Sequence, residues 1–287
     1  AGSALYEQIT ALPEYYLTRA EAEIFRMHGD TIAWVAGEGS RISLAELGAG
    51  SATKTEILLR AVIARQLSCT YLACDISSSV LHELEARMAE RFSSIDVKTA
   101  VCTHEEAVPL IASLPDRQAL LFIGSSIGNF DDHSAVKLLR TWRAALRDDG
   151  ALVIGADRRK DGATLRAAYD DAAGVTAAFN KNMLVRINRE LRADFDVDKF
   201  RHVAVWNERA SNMEMYLEST CSQLVRIHGL DVEVPFASGE RVHTETSAKY
   251  DDARIDRILD AAGFARARTF SDTARRFSVH VAYAITA

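Results

Sequence analysis

Short apolar runs and longer helical patterns alternate along the first half of the chain. The apolar runs predict strands over residues 42–47, 69–75, 94–102, 118–124 and 151–156. The stretches between them predict helices near 53–66, 77–92, 104–112 and 133–147. Strands that alternate with helices favour a parallel sheet with helices on both faces, so the pattern predicts an α/β fold.

The residues before this alternation have a helical pattern that breaks at residues 12–16. Thr18 is predicted to cap the next helix, residues 19–34, with Glu21 three positions later completing a capping box. Tyr15 lies in the loop between the two helices.

After residue 160 the alternation stops. Residues 163–192 have a helical pattern that Gly174 is predicted to break, and short strands at 214–218, 221–227 and 230–234 suggest a meander. A helix at 251–262 and two strands, 264–270 and 277–285, close the chain. We therefore expect a Rossmann-like sheet with a closing antiparallel hairpin, interrupted by a small α+β insertion.

Two glycines, Gly48 and Gly50, follow the first predicted strand, and Asp75 ends the second. A tight glycine turn of this kind lets a ligand approach the backbone, and an acid at the tip of the second strand suits two ribose hydroxyls. Thr53 stands where a dinucleotide fingerprint has its third glycine, which weakens a pyrophosphate interpretation. The turn instead resembles the first motif of class I methyltransferases, which bind S-adenosylmethionine.

Composition narrows the function further. The 287 residues are 48% hydrophobic and carry a net charge of −6, with basic residues scattered, so we expect neither a nucleic-acid partner nor a membrane span. The four cysteines form no C-x-x-C pair and the eight histidines no metal-ligand spacing. These features favour a cytoplasmic protein with reduced thiols and no metal.

Several longer segments resemble the histidine Nα-methyltransferases of ergothioneine biosynthesis, which trimethylate histidine to hercynine with S-adenosylmethionine. The resemblance covers nearly the whole chain. Its segments are 12–16 with 18–21, 46–50 with 54–55, 124–129, 169–171 with 174–176 and 179–180, 188–190 with 193–196, and 244–247 before 249. It implies an S-adenosylmethionine-binding domain at 20–159 and 249–287, and a substrate-binding domain at 1–19 and 160–248.

The resemblance also implies roles for single residues. Those matched to the cofactor are Gly48, Gly50, Lys54, Asp75 and Gly124, with Lys54 as the cation for the methionine carboxylate. Those matched to the amino acid, and treated as catalytic, are Tyr15, Asn129 and Tyr169. Glu245 and Ser247 match the pair that hydrogen-bonds the imidazole, with Met215 beside them.

Elementary chemistry agrees with part of this assignment. Glu245 and Ser247 are two residues apart on a predicted strand and so share a face, where both can meet one imidazole ring. Asn129 offers a donor and an acceptor to an amino acid. The acidic residue that usually contacts adenine in this family, after the third strand, is absent from its usual position, however. His104 stands near that position, and Glu105 is the expected substitute.

The resemblance implies S-adenosylmethionine-dependent Nα-methylation of L-histidine, and we expect the protein to be a monomer. Tyrosine or tryptophan as the substrate, a nicotinamide-dependent oxidoreductase and a non-catalytic binding protein remain alternatives.

Overall fold

The structure is a computed structural model in which residues 2–285 are described, and it divides into two compact units. We call residues 17–158 and 250–285 the sheet unit, and residues 2–16 and 159–249 the insert unit. The α-helices of the described chain are α1 (Gly2–Ala11), α2 (Leu17–Gly37), α3 (Thr55–Gln66), α4 (Ser78–Arg91), α5 (Val108–Ala112), α6 (Asp132–Ala145), α7 (Gly162–Tyr169), α8 (Val175–Leu191) and α9 (Asp252–Ala262).

The strands are named in chain order in the same way. They are β1 (Ile42–Leu47), β2 (Cys69–Asp75), β3 (Ile95–Val101), β4 (Arg117–Phe122), β5 (Ala151–Asp157), β6 (Phe200–Asn207), β7 (Asn212–Ser219), β8 (Gln223–Ile227), β9 (Val232–Phe236), β10 (Arg241–Ala248), β11 (Phe264–Ser271) and β12 (Phe277–Ala284).

The sheet unit is built on a seven-stranded sheet of order β11-β12-β5-β4-β1-β2-β3. Strands β1 to β5 are parallel to one another, whereas β12 runs antiparallel to both β5 and β11. Every residue of β1, β4 and β5 is buried, as expected for strands covered on both faces. The predicted α/β fold with a closing antiparallel hairpin is confirmed.

Two predicted elements of the sheet unit need correction. The helix expected near 104–112 is only Val108–Ala112, because Thr103 and Glu106 bond each other's backbone N–H groups in a turn before it. Helix α2 begins at Leu17, so Thr18 lies inside its first turn and is not the predicted cap. Glu21 is fully buried and forms no capping box, because it has partners in the interior of the unit.

The insert unit contains a three-stranded antiparallel sheet of order β10-β7-β6 and a separate hairpin, β8-β9. The predicted single meander is therefore wrong. The chain leaves the larger sheet after β7, where the Ser219 hydroxyl donates to the Cys221 carbonyl and accepts from Gln223. The core of the unit joins both sheets to α8 through Leu184, Phe200, Leu217, Val225 and Phe236.

The predicted break at Gly174 is confirmed and separates α7 from α8. Gly174 has a φ of 74°, a left-handed conformation that costs glycine little. The Asp171 carboxylate then accepts from the backbone N–H groups of Val175 and Thr176 at 2.9 and 2.7 Å, which caps α8. Helix α7 therefore ends at Tyr169, and the capped turn that follows it starts α8 at Val175.

No helix within residues 2–285 has the length and apolar character needed to cross a membrane. All four cysteines are free thiols.

Candidate active site

The glycine turn after β1 is tied to the end of β2. The N–H groups of Gly48 and Ala49 both donate to the Cys74 carbonyl, at 2.9 and 3.0 Å, and the Gly50 N–H donates to an Asp75 carboxylate oxygen at 3.0 Å. Gly48 and Gly50 have φ values of 71° and 51°, and a Cβ on either would meet no other atom within 4 Å. The turn therefore needs glycine for its backbone conformation, and open space lies beside it.

Lys54 lies close to this turn, and its ammonium group forms an ion pair with Glu21. Both carboxylate oxygens of Glu21 also accept from the Gly124 N–H, each at 2.9 Å. A Cβ on Gly155 of β5 would overlap the Glu21 carboxylate. Glu21 thus joins Lys54, the Gly124 N–H and the backbone of Gly155 in one polar cluster. The predicted cation Lys54 is therefore paired with a buried carboxylate.

His104 lies in the turn after β3 and is half-buried. Its ring packs edge-on against Phe122 and Trp142, with centroids 5.7 and 5.5 Å apart. Burial lowers the pKa of His104, so its imidazole is held in the neutral form. Glu105 beside it is exposed. The contacts of His104 and Glu105 with an adenine ring remain predictions.

Asn129 ends a short 3-10 helix, Ser126–Asn129, that follows β4, and its side chain is exposed. It belongs to the sheet unit, whereas the other predicted substrate residues belong to the insert unit. Its place beside the amino acid remains a prediction.

The insert unit contains a small, partly open cavity of about 40 Å³. Of the predicted residues, Tyr15, Tyr169, Met215 and Glu245 line it. The remaining lining residues are Tyr6, Ile9, Ala168, Thr176, Phe179 and Asn180. The rings of Tyr15 and Tyr169 meet at 69° with centroids 6.3 Å apart, so the wall is aromatic with one carboxylate in it.

Strand pairing explains how the chain brings these residues together. Glu245 on β10 lies opposite Met215 on β7, and Ser247 lies opposite Met213. The Ser247 hydroxyl is 2.8 Å from the Tyr169 hydroxyl at the end of α7. Ser247 is buried and reaches the cavity wall through Tyr169.

Burial controls the ionisation of the cavity groups. It raises the pKa of Glu245, and the positive charge of Lys249 opposes that rise. Burial also raises the pKa of Tyr15 well above its usual range, and the neighbouring Tyr6, Tyr169 and Glu245 add to the rise. Tyr15 is therefore a phenol at neutral pH, able to donate a hydrogen bond but unsuited to act as a strong base.

A profile of the family described as "Histidine-specific methyltransferase, SAM-dependent" matches residues 1–284. The chain belongs to this family. S-adenosylmethionine is its cofactor, and its fold is that of the class I methyltransferases. Membership, together with the two-glycine turn, favours methyl transfer over the hydride transfer of a nicotinamide enzyme.

Named relatives of this chain include histidine methyltransferases. Histidine N-alpha-methyltransferase of Mycolicibacterium smegmatis is 39% identical over 98% of this chain and 86% of its own length. The protein of the same name from Mycobacterium tuberculosis is 40% identical over the same shares. Ergothioneine biosynthesis protein 1 of Schizosaccharomyces pombe is 27% identical over 98% of this chain and 37% of its own length.

The sheet unit fits S-adenosylmethionine. Gly48 and Gly50 leave space where a side chain would stand, and the Asp75 carboxylate lies at the tip of β2, where ribose hydroxyls can reach it. Within residues 2–285, no cluster of three or more His, Cys, Asp or Glu side chains is arranged to hold a metal ion.

Three residues of this methyltransferase were missed as site residues by sequence reasoning. Glu21 was interpreted as a cap, whereas it holds Lys54 and the Gly124 N–H. His202 joins Asn180 of the cavity wall to the Tyr169 carbonyl, through ring-nitrogen contacts of 2.9 and 2.8 Å. Lys249 donates to the hydroxyls of Tyr169 and Ser247. The signals available were the resemblance segments 18–21 and 244–247 before 249, which contain Glu21 and Lys249, and the shared strand face of positions 245, 247 and 249.

Proposed function

We propose that this chain transfers methyl groups from S-adenosylmethionine to the α-amino group of L-histidine, three times, to give hercynine for ergothioneine biosynthesis. The family match over residues 1–284 and the identity of about 40% with histidine methyltransferases support the reaction class. The single structural observation that supports histidine is Glu245, a half-buried carboxylate and the one acidic side chain among the described residues that line a cavity with a largely aromatic wall.

A carboxylate in this position suits an imidazole ring. An ionised carboxylate only accepts hydrogen bonds, and the imidazole ring always carries at least one N–H donor. The faces of a phenol or an indole offer less to a carboxylate, so tyrosine and tryptophan are the poorer substrates. The rings of Tyr15 and Tyr169 supply the flat, apolar part of the pocket.

Bound S-adenosylmethionine supplies an electrophilic sulfonium methyl group. The residues proposed to hold it are Gly48, Gly50, Asp75 and Gly124, with Glu21 fixing Lys54 beside Gly124. Holding two reactants in line is worth about 7–11 kcal/mol of the barrier. Positioning is therefore proposed to be the main contribution of this protein.

The α-amine has to be neutral to attack, and Tyr169 of the insert unit is proposed to hold the amino acid end. Because its pKa is raised, Tyr15 keeps its proton and serves as a hydrogen-bonding group beside the amine. The electron-rich faces of Tyr15 and Tyr169 attract the methylated ammonium group by cation–π contact, worth ~0.5–2 kcal/mol.

Mass spectrometry of an assay with S-adenosylmethionine and all twenty amino acids tests the proposal. We expect histidine to gain three methyl groups on its α-nitrogen and the other amino acids to remain unchanged. Methylation of tryptophan or tyrosine in its place, or no transfer, would contradict it. The sequence-based expectations of a monomer and of a cytoplasmic location remain predictions.

A further inference from the structure

Residues 48–54, which we call the cofactor turn, lie between β1 and α3 and hold a backbone conformation that needs outside support. Gly48, Gly50 and Ala52 have φ values of 71°, 51° and 49°, all in the left-handed region. Glycine adopts that region freely, but Ala52 carries a Cβ that is disfavoured there, and this residue is buried. A strained turn of this kind keeps its conformation only while contacts from neighbouring segments hold it.

Two of those contacts come from the segment that follows β2. The Asp75 carboxylate accepts from the Gly50 N–H at 3.0 Å and from the Ser77 N–H, just before α4, at 2.9 Å. Within α4, the Arg87 guanidinium donates from Nη2 to the Ser51 carbonyl. Gly50 and Ser51 are consecutive, so the segment from Asp75 to Arg87 holds the cofactor turn by one N–H and by the next carbonyl.

A buried carboxylate, Glu56 in the first turn of α3, fixes the Arg87 side chain. Arg87 Nε donates to one Glu56 oxygen at 2.8 Å, and Arg91 Nη1 donates to the other at 2.7 Å. Burial raises the pKa of Glu56, but the two arginine hydrogen bonds outweigh it and hold that pKa below its usual range. The carboxylate is therefore ionised at neutral pH, and both bonds are charge-assisted.

The two arginines differ in what they reach. The Arg87 guanidinium is planar and presents Nε and Nη2 as one rigid fork, with Glu56 on the first donor and the Ser51 carbonyl on the second. The Arg91 guanidinium bonds to Glu56 alone among residues 2–285. Arg87 thus joins α3, α4 and the cofactor turn, whereas Arg91 joins the two helices only.

We propose that Arg87 is a positioning residue for S-adenosylmethionine: the two bonds of its guanidinium keep the cofactor turn in the conformation that binds. This inference rests on the proposed function, in which Gly48 and Gly50 receive the cofactor. Without Arg87, part of the ligand-free protein holds the turn in a relaxed conformation that cannot bind. The apparent dissociation constant then rises in inverse proportion to the competent fraction. Methyl transfer from bound cofactor is unchanged, because binding restores the turn.

Arg87→Met tests the proposal, with Arg91→Met as the matched control because it breaks an ion pair to the same carboxylate. We expect Arg87→Met to weaken S-adenosylhomocysteine binding about tenfold in calorimetry and to raise the KM for S-adenosylmethionine equally. At saturating S-adenosylmethionine, kcat and the KM for histidine should stay within about twofold. Arg91→Met should change each of these constants by less than about twofold. Equal losses in the two variants, or unchanged binding in Arg87→Met, would overturn the proposal.

Two further readouts separate positioning from general stability. Hydrogen exchange of peptides covering residues 48–54 in the ligand-free protein should be faster in Arg87→Met than in Arg91→Met, and equal exchange would overturn the proposal. Arg87→Lys, which replaces the fork with one nitrogen, decides the case in which Arg87→Met does not fold. It should bind S-adenosylhomocysteine at least about threefold more weakly, and full affinity would overturn the two-bond role. Absence of histidine methylation by the unmodified enzyme, with S-adenosylhomocysteine still bound, would instead overturn the proposed function alone.

Discussion

Replacing Glu21 with glutamine removes a fully buried charge from the centre of the sheet unit. The Glu21 carboxylate is 0% exposed, pairs with Lys54 and accepts from the Gly124 N–H. A glutamine oxygen can satisfy one of these donors, and its NH₂ group then faces the other. Losing a charge-assisted hydrogen bond costs about 1.5–3 kcal/mol, and breaking a buried pair costs about 3–5 kcal/mol.

Lys54 is 21% exposed, so water can hydrate its ammonium group when Glu21 is replaced. The cost of breaking this pair is therefore below the upper figure for a fully buried pair. We expect Glu21→Gln to lower the free energy of unfolding by about 2–4 kcal/mol in urea titrations. Glu23→Gln, two positions along the same helix and half-buried, is the matched control, because a glutamine oxygen there can still accept from Thr273, and we expect a smaller loss than for Glu21→Gln.

The double variant Glu21→Gln/Lys54→Met completes a thermodynamic cycle. It should be more stable than the sum of the single losses predicts, by about 1–3 kcal/mol, because both single variants lose the same ion pair. Equal losses for Glu21→Gln and Glu23→Gln, or strictly additive single losses, would refute the interpretation of Glu21 as the anchor of Lys54.

Three further predictions concern other buried contacts. Burial raises the pKa of Glu46 to about 7. A folded pKa above the unfolded value of 4.5 means that stability present at low pH is lost as pH rises through 7, by about 3 kcal/mol. Glu46→Gln should lack this loss in urea titrations at several pH values, and an identical pH dependence would contradict the assignment. Asp75→Ala should weaken S-adenosylhomocysteine binding by about tenfold in calorimetry, because the proposed ribose contact is lost and the Gly50 N–H that shapes the turn loses its acceptor; unchanged affinity would count against the ribose role. His202→Phe should raise the KM for histidine but not for S-adenosylmethionine, because His202 contacts the Tyr169 carbonyl; an equal rise in both would contradict a role specific to the cavity.

Local sequence signals predicted the elements of the sheet unit well. The glycine turn, Asp75 and the closing hairpin could be predicted because backbone conformation and the ends of strands follow from residues close in sequence. Gly174 likewise marks the break before α8, where its φ of 74° is observed.

Buried polar partners could not be predicted in the same way, because they come from distant segments. Glu21 meets Lys54 and Gly124, which lie 33 and 103 residues away, and its spacing from Thr18 favoured a cap instead. Lys249 meets Tyr169 across 80 residues. The single meander failed for a related reason, since β7 pairs with β6 and β10 rather than with β8.

The central claim is that the cavity of the insert unit recognises imidazole through Glu245. Calorimetric titration of Glu245→Ala with histidine and with S-adenosylhomocysteine, beside the unmodified protein, tests it most directly. We expect histidine affinity to fall by at least roughly tenfold, since a charged, half-buried acceptor is lost, while S-adenosylhomocysteine affinity stays within about twofold. Unchanged histidine affinity, or equal losses for both ligands, would contradict the account.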